Sequence, residues 1–379
     1  MTNTPKLKIM TIVGTRPEII RLSRTMALLD KYTEQIIVHT GQNYDFELNE
    51  VFWNDLELRK PDHFLNVDVS SLGATVGDIM RKSETVMLLE KPDAVLVLGD
   101  TNSCLAAYIA KRLRIPIFHM EAGNRSFDFN VPEEINRRII DHIADYNLVY
   151  TEHARRHLIS EGLMHRRIYL TGSPMREVLN HYHSKIINSV ILDTLQLNRN
   201  KYFVVSVHRE ENVDTPENLR KIIEILNRIA AQYDVPVIVS THPRTRKRME
   251  QLIDLELDER VRYLKPFGFL DYVNLQMHAL CTLSDSGTIS EESAMLSFPA
   301  ISLRQSMERP EAQDAGTIIL TGFEPNIVLN AIGTVIDEFA ENNYYTQIAE
   351  DYTITNTSWR VLKLILGNTK LSNKWWGIN

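Results

Sequence analysis

LKIMTIVGTRPEIIRLSRTMALLDKYTEQIIVHTG, residues 7–41, holds a strand, a helix and a second strand in one stretch. Residues 7–13 form a β-branched, apolar run that ends at Gly14, the signature of a short buried strand. Pro17 suits the first turn of a helix, where its missing N–H has no partner to lose, and residues 17–31 carry apolar side chains at helical spacing. Residues 35–40 repeat the short apolar run. Strands alternating with amphipathic helices predict a parallel sheet covered by helices.

The same alternation extends along the chain in two series. The first has strand candidates at 7–13, 35–40, 94–98, 116–120, 147–150 and 167–170, with helices such as 17–31, 103–113 and 133–143. The second has strands at 202–207, 235–241, 261–264, 280–283, 300–303 and 317–320, with helices at 216–233, 244–255, 289–296 and 325–341. The expected fold class is α/β, with two Rossmann-like doubly wound domains. A length of 379 residues also favours two domains over one core. The polar stretch 179–200 reads as the linker region, and Trp375-Trp376 reads as a docking point for the tail.

A net charge of −7 argues against a general grip on nucleic acid or an anionic membrane. Cys104 and Cys281 sit among apolar and small neighbours and read as buried reduced thiols. With no apolar signal core near the start and no run long enough to span a bilayer, a cytoplasmic protein is expected.

Ligands of open parallel sheets bind beyond the carboxyl ends of the strands, so the turns there carry the chemistry. They read Gly14-Thr15-Arg16-Pro17-Glu18, Gly99-Asp100-Thr101 and Glu121-Ala122-Gly123-Asn124-Arg125 in the first series. The second series adds His208-Arg209-Glu210-Glu211-Asn212, His242-Pro243-Arg244 and Asp285-Ser286-Gly287-Thr288. If the domains face each other, these turns line one cleft. Ser286-Gly287-Thr288 precedes a helix whose free N–H groups suit a pyrophosphate, or is an ordinary capped turn. Arg16 suits an anion clamp. Asp100, Glu121 and Glu133 suit acid and base work, although Asp100 and Glu133 also fit helix-end roles and Glu121 an anchor for the Arg125 turn. His208 fits a phosphate or sugar hydroxyl, or a plain pairing with a carboxylate. His153 and His157 have helical metal-ligand spacing but lack the HExxH carboxylate, so a solvated helix face is expected. The chain contains neither GxGxxG nor GxxxxGK[ST], which lowers the case for a nicotinamide enzyme or a P-loop.

In their order, these motifs resemble the non-hydrolysing UDP-N-acetylglucosamine 2-epimerase family. The others that carry the resemblance are His39-Thr40-Gly41-Gln42, Pro132-Glu133-Glu134-Ile135-Asn136-Arg137 and Glu308-Arg309-Pro310-Glu311. The resemblance implies a glycosyltransferase-B-like pair of domains with the active site in the interdomain cleft, a UDP-linked N-acetylamino sugar as substrate, a homodimer, and no cofactor or metal. On that pattern the first domain spans 1–171 and is joined by a C-terminal helix at 358–379. The UDP-binding domain spans 172–357.

Carried over by position, the resemblance implies catalytic or substrate-handling roles for Asp100, Glu121, Glu133, Arg137 and His208. It implies nucleotide binding by Arg16, His242, Phe267, Ser286, Gly287, Thr288 and Glu292. Arg21 stands where the family usually has lysine, HREENVD replaces HRRENFG, SGTISEE replaces SGG-x-QEE, and EAGNRSFDFNVPE is shortened. These departures resemble the branch that converts UDP-2-acetamido-2,6-dideoxy-L-talose into UDP-N-acetyl-L-fucosamine for bacterial surface polysaccharide. Rival readings are UDP-N-acetylglucosamine 2-epimerase itself, a hydrolysing relative, a glycosyltransferase, and a catalytically silent UDP-sugar sensor. The presence of all three carboxylates favours an enzyme.

Overall fold

The computed structural model describes residues 5–42, 53, 55–252, 255–341 and 348–378. The chain forms two compact units, 1–180 with 354–379 and 181–353.

In the first unit, strands β1 (Lys8–Val13), β2 (Glu34–His39), β3 (His63–Phe64), β4 (Ala94–Leu98), β5 (Ile117–Ala122), β6 (Tyr146–Val149) and β7 (Ile168–Leu170) form one sheet in the order β3-β2-β1-β4-β5-β6-β7. Every pairing is parallel. Its helices are α1 (Arg16–Tyr32), α2 (Leu72–Glu90), α3 (Ala106–Arg112), α4 (Pro132–Ile143) and α5 (Glu152–Ser160), followed by α6 (Met175–Ile187), which runs on into the second unit. Met10, Ile12, Val95, Val97 and Ile117 pack against Ile79, Ala107 and Ile140 from α2, α3 and α4. Because both faces of a central strand are covered, β4 reads AVLVL and is buried at every position.

The second unit repeats the plan with β8 (Phe203–Ser206), β9 (Val237–Ser240), β10 (Val261–Leu264), β11 (Cys281–Ser284), β12 (Ala300–Ser302) and β13 (Ile319–Leu320) in the order β10-β9-β8-β11-β12-β13, again parallel. Its longer helices are α7 (Pro216–Tyr233), α8 (Pro243–Met249), α9 (Phe269–His278), α10 (Ile289–Leu296) and α11 (Pro325–Ala340). Alternate residues of β8 point to opposite faces: Phe203 and Val205 enter one apolar cluster, Val204 the other. Both units reverse strand order once, at β1/β4 and at β8/β11, and such switch points open a crevice at the carboxyl edge of a sheet.

The last helix, α12 (Thr357–Trp375), returns to the first unit. Thr357 Oγ1 donates to the carbonyls of Thr171 and Ser173 (3.1 and 3.2 Å), and Ser358 N–H donates to Glu177 Oε2 (2.9 Å). The Arg167 guanidinium lies 5.2 and 4.4 Å from the ring centres of Trp375 and Trp376, so the tail docks through cation–π contacts.

The structure departs from the sequence expectations at several points. Residues 179–200 are largely helical, through α6 and Ile191–Leu195, and the division between units falls inside α6 at 180/181 rather than at 171/172; the return falls at 353/354 rather than at 357/358. Helix 244–255 stops at Met249, where Leu252 N–H turns back to the Met249 carbonyl (3.0 Å). Strand 317–320 shortens to Ile319–Leu320. Cys104 and Cys281 are buried free thiols, one in each unit. No helix among the described residues is long and apolar enough to cross a membrane.

Candidate active site

The first unit places its chemistry at the carboxyl ends of β1, β4 and β5. Thr15 is extended (φ −136°) and caps α1, so Arg16 and Pro17 open the helix and Glu18 sits in its first turn. The Glu18 carboxylate is buried and accepts Gly14 N–H (2.6 Å), Thr15 N–H (2.7 Å), Thr101 Oγ1 (2.8 Å) and Ser103 Oγ. Burial holds it above the ordinary glutamate range even against those donors. The Arg16 turn and the Asp100 turn are therefore tied through one side chain.

Glu121 occupies a bulge: Met120 pairs with Leu148 and Ala122 with Val149, so the register of β5 against β6 shifts at Glu121. Its φ of +64° is rare for a side chain with a Cβ and persists only where surrounding contacts enforce it. The Glu121 carboxylate forms a buried ion pair with Arg21 Nη1 from α1. Asp100, just past β4, accepts from Arg137 Nε (3.0 Å) and Nη2, while Arg137 Nη1 donates to Glu134 (2.9 Å). Glu133 is half-buried in the first turn of α4, one helical turn before Arg137, and so shares its face. Glu134 is fully buried and accepts Ser126 N–H (3.0 Å), which makes it the structural member of the Glu133-Glu134 pair. Asp100, Glu121 and the Glu133–Arg137 face thus come from adjacent strand ends and the helix that follows them.

Of the alternative roles, the helix-end role of Asp100 does not hold. Asp100 turns to Arg137, not to a cap of the helix after it. Glu121 does touch the Arg125 turn, accepting from Asn124 Nδ2 (3.4 Å), while Arg125 itself pairs with Asp141 (2.7 Å) and Glu161 (2.7 Å). His157 is half-buried rather than on a solvated face: its Nδ1 lies 2.9 Å from the Gly123 carbonyl, and burial lowers its pKa. The described residues hold no group of three or more His, Cys, Asp or Glu side chains suited to a metal ion.

In the second unit Asp285, at the end of β11, is buried and gathers the turn after β8. It accepts His208 N–H and Arg209 N–H (both 2.9 Å) and Asn212 Nδ2 (2.8 Å). His208 Nδ1 lies 3.2 Å from Asp285 Oδ1 while the side chain stays 43% exposed, so the ring is oriented from behind and still presents an edge. Ser286 Oγ lies 2.9 Å from Thr288 Oγ1, and α10 begins immediately after Thr288. A side chain at Gly287 would bring a Cβ to 2.9 Å from Glu308 Oε2, and Glu308 is itself held by Arg209 through two 3.1 Å bonds. A larger residue there would have to push the Glu308 carboxylate aside, and the bare glycine leaves the backbone open to close approach of a ligand. Glu292 is buried and accepts from Gln276 (3.0 Å). His242 is exposed and caps α8, and Phe267 is half-buried against the cluster that contains Leu275.

The sequence profile of UDP-N-acetylglucosamine 2-epimerase matches residues 27–366. The chain belongs to that family. A UDP-N-acetylglucosamine 2-epimerase of Rickettsia bellii is 48% identical, with a TM-score of 0.91 over 98% of this chain and 100% of the other. The UDP-GlcNAc 2-epimerase of Methanocaldococcus jannaschii, solved in complex with UDP-GlcNAc and UDP, is 34% identical, with a TM-score of 0.89 over 96% and 100%. A UDP-2,3-diacetamido-2,3-dideoxy-D-glucuronate 2-epimerase of Pseudomonas aeruginosa is 33% identical over 89% of this chain and 94% of its own. This epimerase is accordingly an isomerase with a glycosyltransferase-B-like pair of parallel-sheet domains.

The family motifs account for the candidate residues but not for all that supports them. Arg21, noted only as a departure from lysine, is the partner of Glu121. Asp141, His119 and Arg125 form a buried ionic group behind the same turns, and no motif reading selected the first two. A histidine inside the apolar run 116–120 was the available signal.

Proposed function

We propose that this epimerase converts UDP-2-acetamido-2,6-dideoxy-L-talose into UDP-N-acetyl-L-fucosamine by inverting C2. The observation that carries the C2 chemistry is the set of carboxylates at one sheet edge: Glu121 in a left-handed bulge against Arg21, Asp100 against Arg137, and Glu133 on the Arg137 face. In the proposed reaction one carboxylate takes the C2 proton while the C1–O bond to UDP breaks. The C2–H electron pair becomes the C1–C2 double bond, and UDP leaves with the C1–O pair. UDP then adds back to C1 as a proton enters C2 from the opposite face. Arg21 and Arg137 fix where the carboxylate oxygens stand, which is what a proton transfer of this kind requires. The sugar is served by the first unit's residues with His208, and the nucleotide by Arg16, His242, Phe267, the Ser286-Gly287-Thr288 turn and Glu292. Support for a UDP-sugar comes from the M. jannaschii relative, which was solved with UDP-GlcNAc and UDP.

A second reading takes UDP-N-acetylglucosamine as the substrate, and the R. bellii relative, named for that sugar, favours it. Both readings are tested by proton NMR in deuterated water with each UDP-sugar. The epimerised product should carry deuterium at C2; a product with protium retained there would refute the elimination route.

The nucleotide assignment is tested separately by calorimetry. Loss of a hydrogen bond to a charged group costs about 1.5–3 kcal/mol, so Arg16→Ala and Ser286→Ala should each weaken UDP binding roughly 10- to 100-fold. UDP affinity unchanged in both variants would place the nucleotide elsewhere.

A further inference from the structure

His119 lies on β5 two residues before Glu121 and is fully buried, with no direct part in the chemistry above. Its Nε2 stands 2.8 Å from the carbonyl oxygen of Gly99, the residue before Asp100. Its Nδ1 stands 3.0 Å from Asp141 Oδ1. A carbonyl oxygen only accepts, so Nε2 carries a proton. Asp141 is an acceptor as well: burial opposes its ionisation, yet His119 and Arg125 hold it below the usual aspartate range. The two ring nitrogens therefore face two acceptors, Nε2 a backbone carbonyl and Nδ1 a carboxylate oxygen. Arg125 continues the group to Glu161, so the buried guanidinium stands between two carboxylates, which is how buried charge is tolerated.

The contacts of this group fall on both sides of the carboxylates. Gly99 (φ +72°) precedes Asp100, and Gly123 (φ +81°) follows the Glu121 bulge (φ +64°). Gly123 N–H donates to both Asp141 oxygens at 3.2 Å. A Cβ on Gly123 would stand 2.4 Å from the Ala154 carbonyl oxygen, so this turn is pressed onto α5 and has a single way to lie. Backbone in such conformations is held by its surroundings, and here His119 and Asp141 supply the holding bonds.

We infer that His119 is a positioning residue: its two ring nitrogens set the Gly99–Asp100 turn directly and, through Asp141, the Glu121–Gly123 bulge. This rests on the reading of Asp100 and Glu121 as catalytic.

The test uses variants that each keep one donor. In His119→Gln the amide stands in for Nε2, and in His119→Asn for Nδ1. His119→Asn should lower kcat by roughly 10- to 100-fold through loss of the Asp100 alignment, with His119→Gln recovering part of it. UDP affinity by calorimetry should match wild type in both, because no nucleotide residue touches the group. Wild-type kcat in His119→Asn, or kcat and UDP affinity falling together, overturns the inference. Nitrogen-15 NMR of the histidine-labelled wild-type protein decides it even if the variants misfold. One ring with an Nε2 proton shielded from solvent exchange is expected, and the absence of any such ring overturns it. Asp100→Asn and Glu121→Gln are assayed alongside. If they stay active, the catalytic reading fails; if they are inactive while His119→Asn is not, only the positioning role fails.

Discussion

Asp100→Asn, Glu121→Gln and Glu133→Gln are each expected to fold and to lower turnover by roughly 10²-fold or more, the loss that follows removal of a positioned acid or base. The amides keep the shape of the side chain and one accepting oxygen, but they cannot take and return a proton. Asp100 and Glu133 are partly exposed, and the buried Arg137 beside Asp100 keeps its bond to Glu134 (2.9 Å), so their replacement should leave the melting temperature close to wild type. Glu121 differs because both it and Arg21 are buried. Removing one charge of a buried pair costs about 3–5 kcal/mol when the partner is left with nothing, and the glutamine oxygen offsets part of that. Glu121→Gln should therefore melt lower while still binding UDP. Turnover by NMR, melting by circular dichroism and UDP binding by calorimetry separate these effects. Near-wild-type turnover in all three variants would sink the assignment.

UDP-2-acetamido-2,6-dideoxy-L-talose should be preferred over UDP-N-acetylglucosamine by about 10²-fold in kcat/KM, the scale on which an apolar pocket rejects an added hydroxyl. The reason lies in the shortened segment between Glu121 and Glu133. Ser126 is pinned by Glu134 through its N–H (3.0 Å) and Oγ (3.1 Å), and Asn130 N–H closes on Asp128 (2.9 Å). The turn so formed leaves Phe127 and Phe129 64% and 67% exposed, between the two carboxylates in sequence. Large exposed aromatic rings there suit a methyl group at C6 better than a hydroxymethyl group. Both UDP-sugars should be assayed at equal concentration, with the C2 configuration read from proton coupling constants. A clear preference for UDP-N-acetylglucosamine overturns the branch and leaves the family untouched.

Strand positions were legible because parallel strands covered on both faces are apolar at nearly every residue, as β4 and β5 are. Where that condition fails, so does legibility. β3 is two residues at a sheet edge and carries no periodic signal. Helix α2 keeps Leu72, Leu88 and Leu89 exposed, which blurs the contrast between its faces. The catalytic candidates were legible for another reason: each stands directly after an apolar run, and their order matches one family.

From sequence alone came the two-domain α/β class, the family, and which residues stand at the carboxyl edge of each sheet. These follow from local periodicity and strand-end chemistry, which a chain displays whatever its partners. The structure alone decided which charges meet. Arg21 finds Glu121 a hundred residues away, Arg137 finds Asp100, and Glu308 closes on Gly287. It also separated Glu133 from Glu134, neighbours of one type with unequal burial, and it gave His119 two acceptors, one from the turn after β4 and one from α4. Such pairings depend on strand order and on the direction in which a bulge aims one side chain, and both are set by packing between segments far apart in the chain.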